Sequence, residues 1–140
     1  MAYEGEVLQL CGMIPFDFRA AFAVVVSGVA INPCGHMLMN VGGGTGYYIH
    51  IAGRNTYPKY MNEAGYQRYL IENNKTELSR TAVKLKHPER SLAKLEELLS
   101  KTWAWWVLPH NCAAFVEEVL QAGGTRAGLY SNCPAMESFQ

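Results

Sequence analysis

The stretch "LPHNCAAFVEEVLQAGG", Leu108 to Gly124, sets a thiol at the start of what reads as an amphipathic helix. Ala113, Phe115, Val116, Val119, Leu120 and Ala122 form a broad apolar face, and Glu117, Glu118 and Gln121 point away. Asn111 suits the N-cap, Pro109 fixes the approach, and Gly123-Gly124 supplies the stop. Cys112 therefore falls in the first turn, where free backbone N–H groups and the positive end of the helix dipole favour an anion. A thiolate is the nucleophilic form of cysteine, so this position predicts a depressed thiol pKa. Cys11, Cys34 and Cys133 lack a comparable helix start.

An activated thiol also needs a base. The chain holds four histidines, His36, His50, His87 and His110. His87 precedes Pro88 and reads as a surface residue, whereas His110 lies too close in sequence to Cys112 for assured geometry. His36 and His50 are more informative. They bracket two short apolar runs joined by "GGGTG", the pattern of a β-hairpin. A register pairing His36 with His50 and Val41 with Thr45 would put both imidazoles on one face of a sheet. One ring could then orient the other.

The elements that would carry these groups are predicted as strands over 36–41, 47–52 and 79–86, with helices over 60–72 and from Pro88 to about Ser100. The segment "AAFAVVVSGVAI", Ala20 to Ile31, is a buried strand, a core helix or part of an acyl pocket, and is too short to cross a bilayer. Trp103, Trp105 and Trp106 read as core or pocket wall. The glycine loop lacks the strand–loop–helix setting and the Lys-Ser/Thr pair of a phosphate cradle. The whole is an α+β chain, residues 1–140 forming one domain, with an antiparallel sheet, packed helices and the nucleophile at a helix N-terminus.

Hydrophobic residues make up 49% and charged residues 17% of the 140, so the chain should fold. Twelve Lys plus Arg balance twelve Asp plus Glu, which argues against a nucleic-acid partner and gives no electrostatic ground for an anionic membrane surface. Lipid contact stays open only through Ala20–Ile31. Four cysteines are too few for a disulfide scaffold, and reduced thiols are expected. "MAYEGEVLQLCGMIPFDFR" lacks a basic region followed by an apolar one, so no secretory leader is expected; the protein would be cytoplasmic, or exported by a dedicated secretion machine.

"GHMLMNVGGGTGYYIHIAG" followed by "NCAAFVEEVL" resembles the circularly permuted papain-like superfamily, which includes permuted NlpC-type proteins and lecithin:retinol acyltransferase-like enzymes. The resemblance spans about Gly35 to Ala122, on His36, His50, Asn111-Cys112 and Phe115, with histidine preceding cysteine. It implies a permuted papain-like fold in which Cys112 attacks a carbonyl, His36 moves the proton and His50 holds His36. The Cys112 N–H would be an oxyanion donor, and no cofactor is needed. The partner would be a peptide or acyl substrate. An amide or peptide bond is favoured, as in bacterial members that act on cell-wall peptides or serve as secreted toxins. A lipid acyl hydrolase or acyltransferase is the alternative within the fold. Two rivals lie outside it: a zinc site from Cys34, His36, His110 and Cys112, and a binding module that keeps the fold without the chemistry.

Overall fold

The structure, a computed structural model, describes residues 2–9, 16–28, 33–42, 46–52, 57–99, 111–130, 133–137 and 139–140. Cys11, the three tryptophans, Pro109, His110 and the middle of "GGGTG" lie outside the described residues, as does the Asn111 side chain. Six strands, β1 (Glu6–Val7), β2 (Ala21–Val26), β3 (His36–Val41), β4 (Tyr47–His50), β5 (Lys59–Met61) and β6 (Glu77–Val83), form one sheet in the order β1-β5-β4-β3-β2-β6. Every neighbouring pair is antiparallel. Three helices accompany it: α1 (Glu63–Glu72), α2 (Pro88–Leu99) and α3 (Asn111–Ala122). The α+β class with an antiparallel sheet and packed helices is as expected.

Helices cover both faces, and this decides the ambiguous run after Ala20. Along β2, Ala21, Ala23 and Val25 pack with α2 and α3, whereas Val24 and Val26 pack with Tyr66 and Tyr69 of α1. A strand buried on both sides needs apolar residues at every position, so its sequence loses the alternation that would have marked it. The edge strand β6 keeps its alternation, with Arg80 exposed and Val83 buried. It ends at Val83, so the predicted extension through Lys86 is not strand. The predicted helix from Tyr60 starts at Glu63 instead. Asn62 caps it by accepting from the Gly65 N–H at 2.8 Å, and Tyr60 and Met61 belong to β5.

The β3–β4 register differs from the predicted one. Met39 faces Ile49, Asn40 faces Tyr48 and Val41 faces Tyr47, so the loop spans Gly42–Gly46 and His50 falls opposite Leu38 by continuation. Gly42 has φ +96°, and a Cβ there would lie 3.1 Å from the Gly46 Cα, which explains why this loop closes on glycines. The slip is two residues, and side chains alternate with period two, so His36 and His50 still share a face as diagonal neighbours.

The start of β3 is held by the C-terminal segment. Cys34 and Cys133 form a disulfide across a sequence separation of 99, correcting the expectation of reduced thiols. The Ala135 N–H donates to the Cys34 carbonyl at 2.7 Å. Gly35, at φ +81°, has room for no side chain: a Cβ would lie 2.8 Å from the Val26 carbonyl oxygen and 2.9 Å from Ala135 Cβ. No helix among the described residues is long and apolar enough to cross a membrane.

A cross-link closing so long a loop should stabilise chiefly by restricting the unfolded chain. Replacing Cys34 and Cys133 together by serine is expected to lower the unfolding free energy by about 2–5 kcal/mol. Urea denaturation with and without a dithiol reductant checks this; a midpoint that reduction leaves unchanged would refute it.

Candidate active site

The first residue of β3 and the last of β4 bring two imidazoles together. His36 Nε2 lies 2.7 Å from His50 Nδ1. His50 Nε2 lies 2.7 Å from the Glu4 carbonyl oxygen. A carbonyl only accepts, so His50 donates from Nε2 and its neutral ring presents a bare Nδ1. His36 must then donate from Nε2, which leaves His36 Nδ1 unprotonated. One backbone carbonyl thus sets the tautomer of both rings.

Both rings are held neutral. Burial pushes His36 well below the ordinary histidine pKa, and the positive charges that His50 and Lys75 can carry push it further. His50, fully buried, falls to about 4, again chiefly through burial; the Glu4 carbonyl opposes the shift, and Lys59 and Lys75 reinforce it. Tyr69 of α1 packs against the pair, its ring centroid 5.3 Å from that of His50 and 6.4 Å from that of His36.

Cys112 lies in the first turn of α3, as expected, and is 7% exposed. Its sulfur is near the backbone of β3: the N–H groups of Met37, the residue after His36, of Ala113 and of Cys112 itself all favour a charge on it. Met37, Met39 and Val41 face α3, whereas His36 shares the α1 face of β3 with Leu38. The sulfur, on the α3 side, and the histidine pair, on the α1 side, thus lie on opposite faces at the start of β3, and no hydrogen bond joins Cys112 to His36 among the described residues. A charge on Cys112 would reach Tyr69 and Lys75.

The thiol does not have the depressed pKa expected from its helix position. Burial raises it, outweighing the three backbone N–H groups and the nearby Lys75, which lower it. The resting pair is accordingly a neutral thiol and a neutral imidazole. The zinc reading loses a ligand, since Cys34 is bonded to Cys133, and no metal-binding cluster exists among the described residues. His110 lies outside the described residues, and His87 is away from the site, 3.7 Å from Glu89.

Sequence reasoning missed three contributors. The Glu4 carbonyl carries no side-chain signal. Tyr69 reads as an ordinary apolar position of a helix. Lys75 lies in the connection after α1, with no motif around it.

No family model matches the chain, and no curated protein or solved structure is significantly similar to it.

Histidines buried in the neutral form make stability depend on pH in a defined direction. The unfolded chain binds a proton at His50 near pH 6.5 and the folded chain only near 4. Stability from this group is complete above about pH 6.5 and is lost as pH falls towards 4, by roughly 3 kcal/mol in full. His50→Gln keeps one donor and one acceptor but cannot titrate, so its melting temperature should fall less steeply over that window. An acid slope identical to that of the parent would show that His50 is not the titrating group.

Proposed function

We propose that the chain is a cysteine-dependent hydrolase acting on an amide or peptide bond, with Cys112 as nucleophile, His36 as base and His50 as the residue that orients the base. The single observation carrying this reading is the hydrogen-bonded run from the Glu4 carbonyl through His50 to His36. It leaves a bare imidazole nitrogen on the first residue of β3, the strand against which α3 packs with Cys112 in its first turn.

In this reading His36 Nδ1 takes the thiol proton as the sulfur attacks the substrate carbonyl carbon. The resulting imidazolium is stabilised by its Nε2–H bond to His50. Negative charge moves to the carbonyl oxygen, where the Cys112 N–H can hold it. His36 then returns the proton to the leaving amine, and water attacks the thioester with His36 again as base. Because the thiol rests protonated, the mechanism relies on general-base transfer during attack, not on a preformed ion pair.

The Cys34–Cys133 disulfide supports action in an oxidising compartment, which fits an exported protein better than a cytoplasmic one. A cell-wall peptide substrate and a role as a secreted bacterial effector agree with that location. The burial of Cys112 favours a second reading, a binding module that retains the arrangement without turnover.

Assay against a panel of peptide amides, peptidoglycan fragments and lipid esters separates these readings. Cys112→Ala is expected to abolish turnover with the fold intact. His36→Ala should reduce it by about 10²–10⁴-fold, the usual worth of a general base, and His50→Gln by less. Turnover should hold its neutral-pH value well below pH 6.5, because His36 stays unprotonated there. Full activity in Cys112→Ala would sink the thiol mechanism; turnover of lipid esters alone would move the chain to the acyl-ester class.

A further inference from the structure

Lys75 is built into the same end of the sheet. The connection after α1 is latched to Ser27, the residue following β2: Ser27 N–H donates to the Thr76 carbonyl at 2.8 Å, and Thr76 N–H donates to Ser27 Oγ at 2.9 Å. The Lys75 N–H donates to the Leu70 carbonyl at 2.8 Å, and its ammonium donates to the Ser27 carbonyl at 3.0 Å. Val26, next to Ser27, pairs directly with His36. The ammonium is thereby fixed one residue beyond the partner of the proposed base.

Among the described residues its charge has no counter-ion within 4.0 Å. Among the described residues, the other part-buried lysines hold carboxylates, Lys59 with Glu4 at 3.4 Å and Lys94 with Glu97 at 3.1 Å. Half-buried Lys75 has none within 4.0 Å. Its neighbours at this end, His36, His50, Tyr69 and Cys112, are all neutral at rest, and the nearest influential carboxylate, Glu4, is engaged with Lys59. A partly desolvated cation that has only a neutral carbonyl as partner is stabilised further by an anion. The negative charge that develops on sulfur and on the carbonyl oxygen is brief, whereas a charged group on the substrate would occupy the position throughout binding.

We propose that Lys75 makes the Cys112 site selective for acyl substrates that carry a carboxylate, or another anionic group, close to the bond attacked. The identity of the reaction rests on the hydrolase reading above; the position of the charge does not.

Alkylation of Cys112 tests this without turnover. Iodoacetate and iodoacetamide form the same C–S bond and release the same iodide, but only iodoacetate is an anion. In the parent protein the ratio of their rate constants at Cys112, read by peptide mass spectrometry, should favour iodoacetate relative to a free thiol. Lys75→Met should lower that ratio on the order of tenfold, the scale expected for one nearby charge, and Lys75→Arg should preserve it. Raising the salt concentration should lower the ratio in the parent, which covers the case of a variant that folds poorly. Lys94→Met, at a lysine of α2 paired with Glu97, is the control and should change little. An unchanged ratio in Lys75→Met, equal loss in Lys94→Met, or a thiol that neither reagent reaches would overturn the proposal. A Lys75-dependent ratio with no turnover of any substrate would keep the anion selectivity and sink the hydrolase; turnover with a Lys75-independent ratio would do the reverse.

Discussion

The arrangement depends on one hydrogen bond, from His50 to the backbone carbonyl of Glu4. His50 is fully buried, and a buried imidazole without a partner costs on the order of 1–3 kcal/mol. The carbonyl removes that cost and simultaneously decides which nitrogen of each ring carries the proton. Its direction is set by Gly5, whose φ of +110° a side chain would resist. A Cβ there would lie 2.9 Å from both Met61 Cγ and the Tyr60 carbonyl oxygen. Beyond it, Glu6 pairs with Tyr60 and Val7 with Lys59, while the Leu8 N–H donates to the Pro58 carbonyl at 2.8 Å. A two-residue edge strand that contributes little burial thus fixes the tautomer at the centre of the molecule.

At Cys112 two effects oppose one another. The helix start and three backbone amides favour the thiolate; burial favours the thiol, and burial is the larger. The same burial holds His36 neutral, so proton transfer between them would exchange two neutral groups for two charged ones in a poorly solvated place. Such an exchange becomes easier when a fixed charge or a hydrogen bond meets each product. His50 meets the imidazolium, and the amides of Met37, Ala113 and Cys112 meet the sulfur. Under the proposed mechanism this arrangement would meet charge that appears during the reaction, which is the general form of electrostatic preorganisation.

The local patterns were legible in the sequence. The six residues of β3 were read to the residue, because a short apolar run between turn signals has few alternatives. The apolar stripe of α3 and the placement of Cys112 in its first turn followed from helical period. The His36–His50 neighbourhood was legible although its register was not: any even slip keeps both rings on one face, so the conclusion survived an error of two residues. The Cys34–Cys133 bond was invisible because nothing in the spacing of four cysteines distinguishes a pair 99 apart. The raised thiol pKa escaped for a similar reason. The helix dipole is a local property, while desolvation depends on what the rest of the chain packs around the sulfur.

These failures share one cause, which lies in the topology. The two terminal segments converge on the hairpin that carries the two histidines. Glu4 arrives beside β4 to hold His50, and Cys133 and Ala135 arrive at Cys34 to hold the residues before His36. Helix α3 comes from a third region to supply the thiol. Contacts between such distant segments carry the largest loop-closure cost and form only when most of the fold is in place. No contiguous fragment could therefore present the proposed nucleophile, the proposed base and the carbonyl that sets its tautomer, and the completeness of the site reports the completeness of the fold.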